Sequence, residues 1–150
     1  MSRLILLDAG PLGMAIHPKA KGISLDCQQW LKALLQRGER VGIPEIADYE
    51  VRRELLRAGL VRSLRRLDEL EQMLEYIPIQ TDTMLQAATF WADVRRSGQP
   101  TADPKALDGD VILAAQAHLL CDDTTQAIIA TTNVAHLSRF VPAVDWKTIQ

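Results

Sequence analysis

The sequence has little of what marks several common protein classes. Its 150 residues hold only two cysteines, Cys27 and Cys121, with no C-x-x-C pair and no cysteine–histidine spacing. A disulfide framework or zinc finger is therefore excluded as the organising device. A reducing compartment is expected, with both cysteines serving as small buried hydrophobes. Aromatic residues are 5 % of the chain, which argues against recognition by base stacking. Trp30, Trp91 and Trp146 fall in separate segments and read as packing residues. His17, His118 and His136 share no metal-binding spacing. Neither sign of charge dominates: 17 Lys and Arg face 19 Asp and Glu, for a net charge of −2. Any nucleic-acid surface must then be a local patch. No apolar run approaches the roughly 20 residues that span a membrane. The chain start carries Arg3 but no signal-like apolar region with a cleavage site. A soluble cytoplasmic protein without membrane contact is expected.

What is present suits one domain over residues 1–150, with 47 % hydrophobic residues to build its core. Arg3–Leu7 is a short continuous apolar run, as in a strand covered on both faces. Ser24 is the expected N-cap of a helix stopped by Gly38. Arg40–Ile43 reads as a second strand ended by Pro44, followed by a helix near Glu45–Arg57 that Gly59 breaks. A basic helix spans about Val61–Leu74, and Tyr76–Ile79 reads as a third strand. Thr81 is the expected cap of a helix with Met84, Leu85, Ala88, Trp91 and Val94 on its packed face, closed by Gly98. Gln99–Lys105 reads as a loop and Asp110–Leu120 as an almost wholly apolar helix. Ala127–Thr131 is a fourth strand and Val144–Trp146 an edge strand. Strands alternating with helices predict an α/β fold, a three-layer α/β/α sandwich around a mostly parallel sheet.

In such sheets, ligands bind beyond the carboxyl ends of the strands. Three acids fall there: Asp8 at the end of the first strand, Glu50 a turn or two after the second, and Asp110 at the expected start of the apolar helix. Each has a plain alternative, as an Asx turn, a solvated helix residue and a helix cap respectively. Together they would repel one another unless cations neutralise them. Mg²⁺ and Mn²⁺ take oxygen ligands and keep waters, and they promote in-line phosphodiester hydrolysis. Other chemistries fit less well. The glycines of DAGPLG do not make G-x-G-x-x-G, and neither a P-loop nor G-x-S-x-G occurs. A haloacid-dehalogenase-like phosphatase needs a second aspartate where Gly10 stands.

Four segments, in order and covering nearly the whole chain, resemble the PIN domain family and its VapC-like toxins: LILLDAGPL, IPEIADYEVRREL, DGDVILAAQA and ATTNVAHL. The resemblance implies a PIN-like sandwich and a pocket in which Asp8, Glu50 and Asp110 bind Mg²⁺ or Mn²⁺. It points to Glu50 rather than Glu45, makes Asn133 the fourth catalytic position and gives Thr131 a supporting role. It implies metal-dependent endoribonuclease activity, a homodimer and, in toxins, a small antitoxin that blocks the pocket. A stand-alone RNA-processing nuclease, or a PIN-fold module that binds RNA or protein without cutting, are the alternatives. The chain departs from the family pattern at Ala9, where a hydroxyl is common, at Asn133, where an acid is common, and at His136–Leu137, where an acid or His precedes Phe. Asp108 is placed to supply the missing charge, although a loop or capping role is the plainer reading. Arg52 and Arg53, close to Glu50, are the arginines favoured to contact RNA. A solvated face with i,i+4 pairs is the alternative for the whole arginine-rich stretch.

Overall fold

The computed structural model describes residues 1–98 and 104–150, with the side chains of residues 104–106 outside the description. Five strands form one parallel sheet: β1 (Ser2–Leu7), β2 (Arg40–Pro44), β3 (Glu75–Ile77), β4 (Thr125–Thr131) and β5 (Ala143–Asp145). Their order is β3-β2-β1-β4-β5, every neighbouring pair parallel. The chain builds outward from β1 to β3, then crosses back over β1 to lay down β4 and β5. The order thus reverses beside β1, and the crevice at its carboxyl end is where an open α/β sheet admits a ligand.

The helices are α1 (Ala9–Ala15), α2 (Ile23–Gln36), α3 (Glu45–Ala58), α4 (Val61–Met73), α5 (Thr81–Ser97), α6 (Pro104–Leu120) and α7 (Val134–Leu137). The apolar run of β1 explains the layering. Ile5 and Leu7 join a core with α1, α2, α3 and α4, while Leu4 and Leu6 join the opposite core with α6 and β4. Strands buried on both faces need no polar alternation, and both sides of β1 are sealed from water. Helix α5 meets this sheet core through the half-buried Phe90. It packs on α6 through Ala87, Val94, Leu107, Val111 and Ala115.

The predicted α/β/α sandwich is found, with several local corrections. The turn expected after Asp8 is helix α1, with Pro11 in its first turn, where a missing N–H costs nothing. Ser24 lies inside α2, whose cap is Gly22 at φ 55°. Strand β3 is Glu75–Ile77, shifted toward the N-terminus. Gln80, not Thr81, caps α5, its side chain and that of Thr83 closing a reciprocal box. Of the predicted packed face of α5, Val94 is buried as expected, but Met84, Leu85, Ala88 and Trp91 are exposed, and Thr83 and Ala87 are buried in their place. Helix α6 begins at Pro104, so Asp110 stands in its second turn and does not cap it. Of the expected loop, Gln99–Asp103 lies outside the described residues. Cys27 is buried, which pushes its thiol up to about 12, but Cys121 is exposed. Among the described residues, no helix is long and apolar enough to cross a membrane.

Candidate active site

Asp8 is the last residue before α1 and caps it: its Oδ1 accepts from the Ala9 amide at 2.7 Å. Its Oδ2 accepts from the Thr131 hydroxyl, also at 2.7 Å, across the β1–β4 boundary. Thr131 is fully buried, and its Oγ1 in turn accepts from the Asn133 amide at 2.8 Å. Its hydroxyl therefore sets both the carboxylate of Asp8 and the path of the chain leaving β4. Gly10 allows that approach, because a Cβ there would stand 3.0 Å from the Thr132 hydroxyl.

Glu50 comes from α3 and Asp110 from α6, and Gly109 brings them together. A Cβ on Gly109 would lie 3.3 Å from both carboxylate oxygens of Glu50, close enough that the carboxylate would have to shift by a few tenths of an ångström. Gln116 fixes the two helices relative to each other. Nearly fully buried, it accepts from the Ile46 amide at 3.3 Å and donates to the Ile77 carbonyl at 2.7 Å. The sequence held no cue for either residue, since a glycine in a helix reads as a breaker and a lone glutamine as a solvated side chain.

Burial raises the Glu50 carboxyl above its ordinary pKa; the charge of Asp8 adds to this, Arg53 opposes it, and Asp110 adds again. Burial also raises Asp110, with Asp8 adding, while His136 and Arg139 pull the other way. The three acids predicted from the sequence thus sit within electrostatic reach of one another in a half-buried crevice, with too little positive charge to balance them. Among the described residues, no three His, Cys, Asp or Glu side chains stand close enough to cage a metal ion directly. The donor set is nonetheless all-oxygen and anionic, with room between its members. That matches a hard divalent cation that keeps several waters rather than a soft or fully caged one.

Asn133 stands at the rim, its Nδ2 3.1 Å from His136 Nδ1. That ring nitrogen is 3.7 Å from Asp110 Oδ2. One nitrogen cannot accept from Asn133 and donate to Asp110 at once. The shorter contact has hydrogen-bond length and the longer does not, so Asn133 is the hydrogen-bond partner of that nitrogen. The Asn133 carbonyl oxygen is then left for the crevice. Asp108 is exposed on α6 and lines a cleft with Met84 and Trp91, away from the three acids; it is neither a loop nor a cap residue. Arg52 is held by Asp48, Asp68 and Glu71 at 3.0, 2.9 and 3.1 Å. Arg53 is exposed, with its guanidinium 5.0 Å above the Tyr49 ring. Of the two arginines predicted to meet RNA, Arg53 is the one whose charge is left over.

No family model matches the chain, and no curated protein matches it. Solved structures do. A chain of the crystal structure of VapBC2 from Rickettsia felis, bound to a DNA fragment from the promoter of that pair, superposes with a TM-score of 0.69 at 16 % identity, covering 95 % of this chain and 98 % of that one. DNA-bound VapBC from Salmonella typhimurium gives 0.63 at 20 % identity, over 97 % and 99 % of the two chains. FitAcB from Neisseria gonorrhoeae gives 0.62 at 19 % identity, over the same shares. These likenesses run essentially end to end in both directions, and at such identities what they share is architecture. The parallel five-stranded sheet, the helices on both faces and the acidic crevice at its switch point make this chain a PIN-like α/β/α sandwich, the fold seen in VapBC complexes.

Proposed function

We propose that this protein is a metal-dependent endoribonuclease and the toxin of a toxin–antitoxin pair. The observation that carries the reading is the convergence of Asp8, Glu50 and Asp110, from the end of β1, α3 and α6, in one half-buried crevice where nearby cations offset their charges only in part. An isolated protein keeps such a cluster at a cost in stability, so a function that needs the charge accounts for it. The solved neighbours are two-component VapBC and FitAcB assemblies, which supports an antitoxin partner here.

In this reading Asp8, Glu50 and Asp110 hold Mg²⁺ or Mn²⁺. When bound, the ion neutralises the crevice and acts as a Lewis acid toward a phosphodiester. Thr131 keeps Asp8 in place through its 2.7 Å hydrogen bond. The Asn133 carbonyl oxygen accepts a hydrogen bond from the attacking water and so orients it. The water oxygen bonds to phosphorus as the bond from phosphorus to the leaving ribose oxygen breaks; the water's proton passes to a carboxylate of the cluster, and the leaving oxygen takes a proton from solvent to become a hydroxyl. The separation of the three acids and the uncharged Asn133 also suit a module that binds RNA or a partner without cutting.

One experiment separates these readings. A mixed pool of structured RNAs is incubated with wild-type and Asp110→Asn protein, in Mn²⁺ or Mg²⁺ and in EDTA, while Mn²⁺ binding is followed by calorimetry. Cleavage that needs metal and disappears in the variant supports the nuclease. Metal binding that depends on Asp110, with no cleavage of any RNA, favours the non-cutting module. Identical cleavage by both proteins refutes the assigned site.

A further inference from the structure

Arg139 was not singled out by any motif, yet it stands beside the crevice in a prepared position. Its Nε donates to the His136 carbonyl at 3.1 Å. Its guanidinium lies 5.2 Å from the centroid of the Phe140 ring. Asp110 feels its charge. Among the described residues, no carboxylate is within ion-pair distance of it. Asp93, which shares a cleft with it, is already bonded to Arg96 at 2.6 Å. One edge of the guanidinium is thus committed to the backbone and one face to an aromatic ring. The residue is half-exposed, and its remaining two nitrogens have no acid partner among the described residues.

An arginine fixed in this way differs from a solvated one. Little side-chain entropy is left to lose, and its planar fork matches a phosphate bidentately. Arg53 is its counterpart on the other side. It too lies on an aromatic ring, that of Tyr49, acts electrostatically on an acid of the crevice, Glu50, and lacks an ion-pair partner among the described residues. Each arginine lies three residues after a residue at the crevice, Glu50 or His136.

We infer that Arg139 is a phosphate-binding residue for single-stranded RNA on the Asp110 side of the crevice, forming with Arg53 a two-sided clamp on the phosphates that flank the cut. The inference rests on the ribonuclease reading and adds to it the residue that grips the strand beyond the metal ligands. The clamp explains how a chain of net charge −2 holds a polyanion: two positioned cations act locally where the global field does not.

The test is binding, read apart from cleavage. A fluorescein-labelled single-stranded RNA 20-mer of mixed sequence is titrated by anisotropy in Ca²⁺ across a series of NaCl concentrations. The proteins are wild type, Arg139→Gln, Arg139→Lys and, as a charge-matched control at the opposite end of the strands, Arg37→Ala. Arg139→Gln is expected to weaken binding about tenfold, the size of one charge-assisted contact. It should also flatten the slope of log K against log[NaCl] by about 0.7, the value of one single-strand phosphate. Arg139→Lys recovers the slope but not all of the affinity, while Arg37→Ala behaves as wild type. Gln and Lys both lose the guanidinium geometry and differ in charge, so a merely structural role moves them equally. Equal slopes for those two variants, or wild-type affinity for Arg139→Gln in a protein that cleaves RNA, overturn the inference alone. Failure of the wild type to bind any RNA overturns the ribonuclease reading with it.

Discussion

At the scale of single residues, the crevice depends on side chains that carry no charge. Gly109 is the clearest case. Glu50 rests on its backbone, and a methyl group at 3.3 Å from both carboxylate oxygens has to displace one or the other. Gly109→Ala should favour the helix itself, since alanine is the better helix former by about 1 kcal/mol. It should nonetheless misplace Glu50. Calorimetry on Gly109→Ala is therefore expected to show a melting temperature at or above that of the wild type, with Mn²⁺ affinity reduced about tenfold, the usual cost of disturbing a residue that supports a metal ligand. Unchanged Mn²⁺ affinity would show that Glu50 does not depend on this contact. The three acids, Thr131 and Asn133 were legible in the sequence because each sits beside a recognisable strand end or helix segment. Gly109, Gln116 and Arg139 were not, because their roles consist in what a distant segment places against them.

At the scale of elements, α3 carries Glu50 on one side and a carboxylate–arginine knot on the other. Arg52 bridges to Asp48 on its own helix and to Asp68 and Glu71 on α4, so the two helices are pinned together close to the crevice. Glu71 is crowded there. Burial, then hydrogen bonding to Asp48 and its charge, push its carboxyl up to about 7 against the pull of Arg52. An unfolded glutamate releases its proton near 4.5. Between about pH 4.5 and 7 the folded chain holds a proton that the unfolded chain has lost, so stability is highest below that window and falls as pH rises through it. Urea melts at pH 5, 6, 7 and 8 should show this decline, and Glu71→Gln, which cannot ionise, should flatten it. Glu50 and Asp110, also raised, contribute a slope of the same sign, so the difference between the two proteins isolates Glu71. An equally steep decline in Glu71→Gln would rule out a proton held at Glu71.

Elements were also where the sequence reading slipped, and the slips share a cause. Helix α5 has an apolar stripe, but its main partner is α6, so Ala87 and Val94 go inward with Phe90 half-buried beside them, while Met84, Leu85 and Trp91 stay outside. Helix α1 was hidden because Gly10, Pro11 and Gly13 read as a turn, although proline is at ease in a first helical turn. In each case a local pattern was sound and a tertiary neighbour decided how it was used.

At the scale of the whole molecule, the alternation of strands and helices was enough to expect a site beyond the carboxyl ends of a parallel sheet, while the strand order that makes β1 central is a finding of the structure. What the pattern could not show is the face that the misphased helix leaves exposed. Met84 of α5 lines two adjoining clefts, of about 530 and 410 Å³, which run between α3, α5 and α6. Tyr49, Leu56 and Trp91 are exposed along them, and Leu85 is 64 % exposed beside Met84. Monomers seldom leave so continuous an apolar surface open to water. A second copy, as in the homodimer that the family resemblance implies, is the occupant to test at this face. Sedimentation equilibrium at tens of micromolar is expected to return about twice the 16.7 kDa of one chain. Met84→Arg places a charge where the two clefts meet, at a side chain already 47 % exposed, so the fold should be kept while the pair separates, because a buried unpaired charge is not tolerated in the core of an interface. A wild-type protein sedimenting at the mass of one chain would show that this face serves some other partner, and the antitoxin would then be the first to try against it.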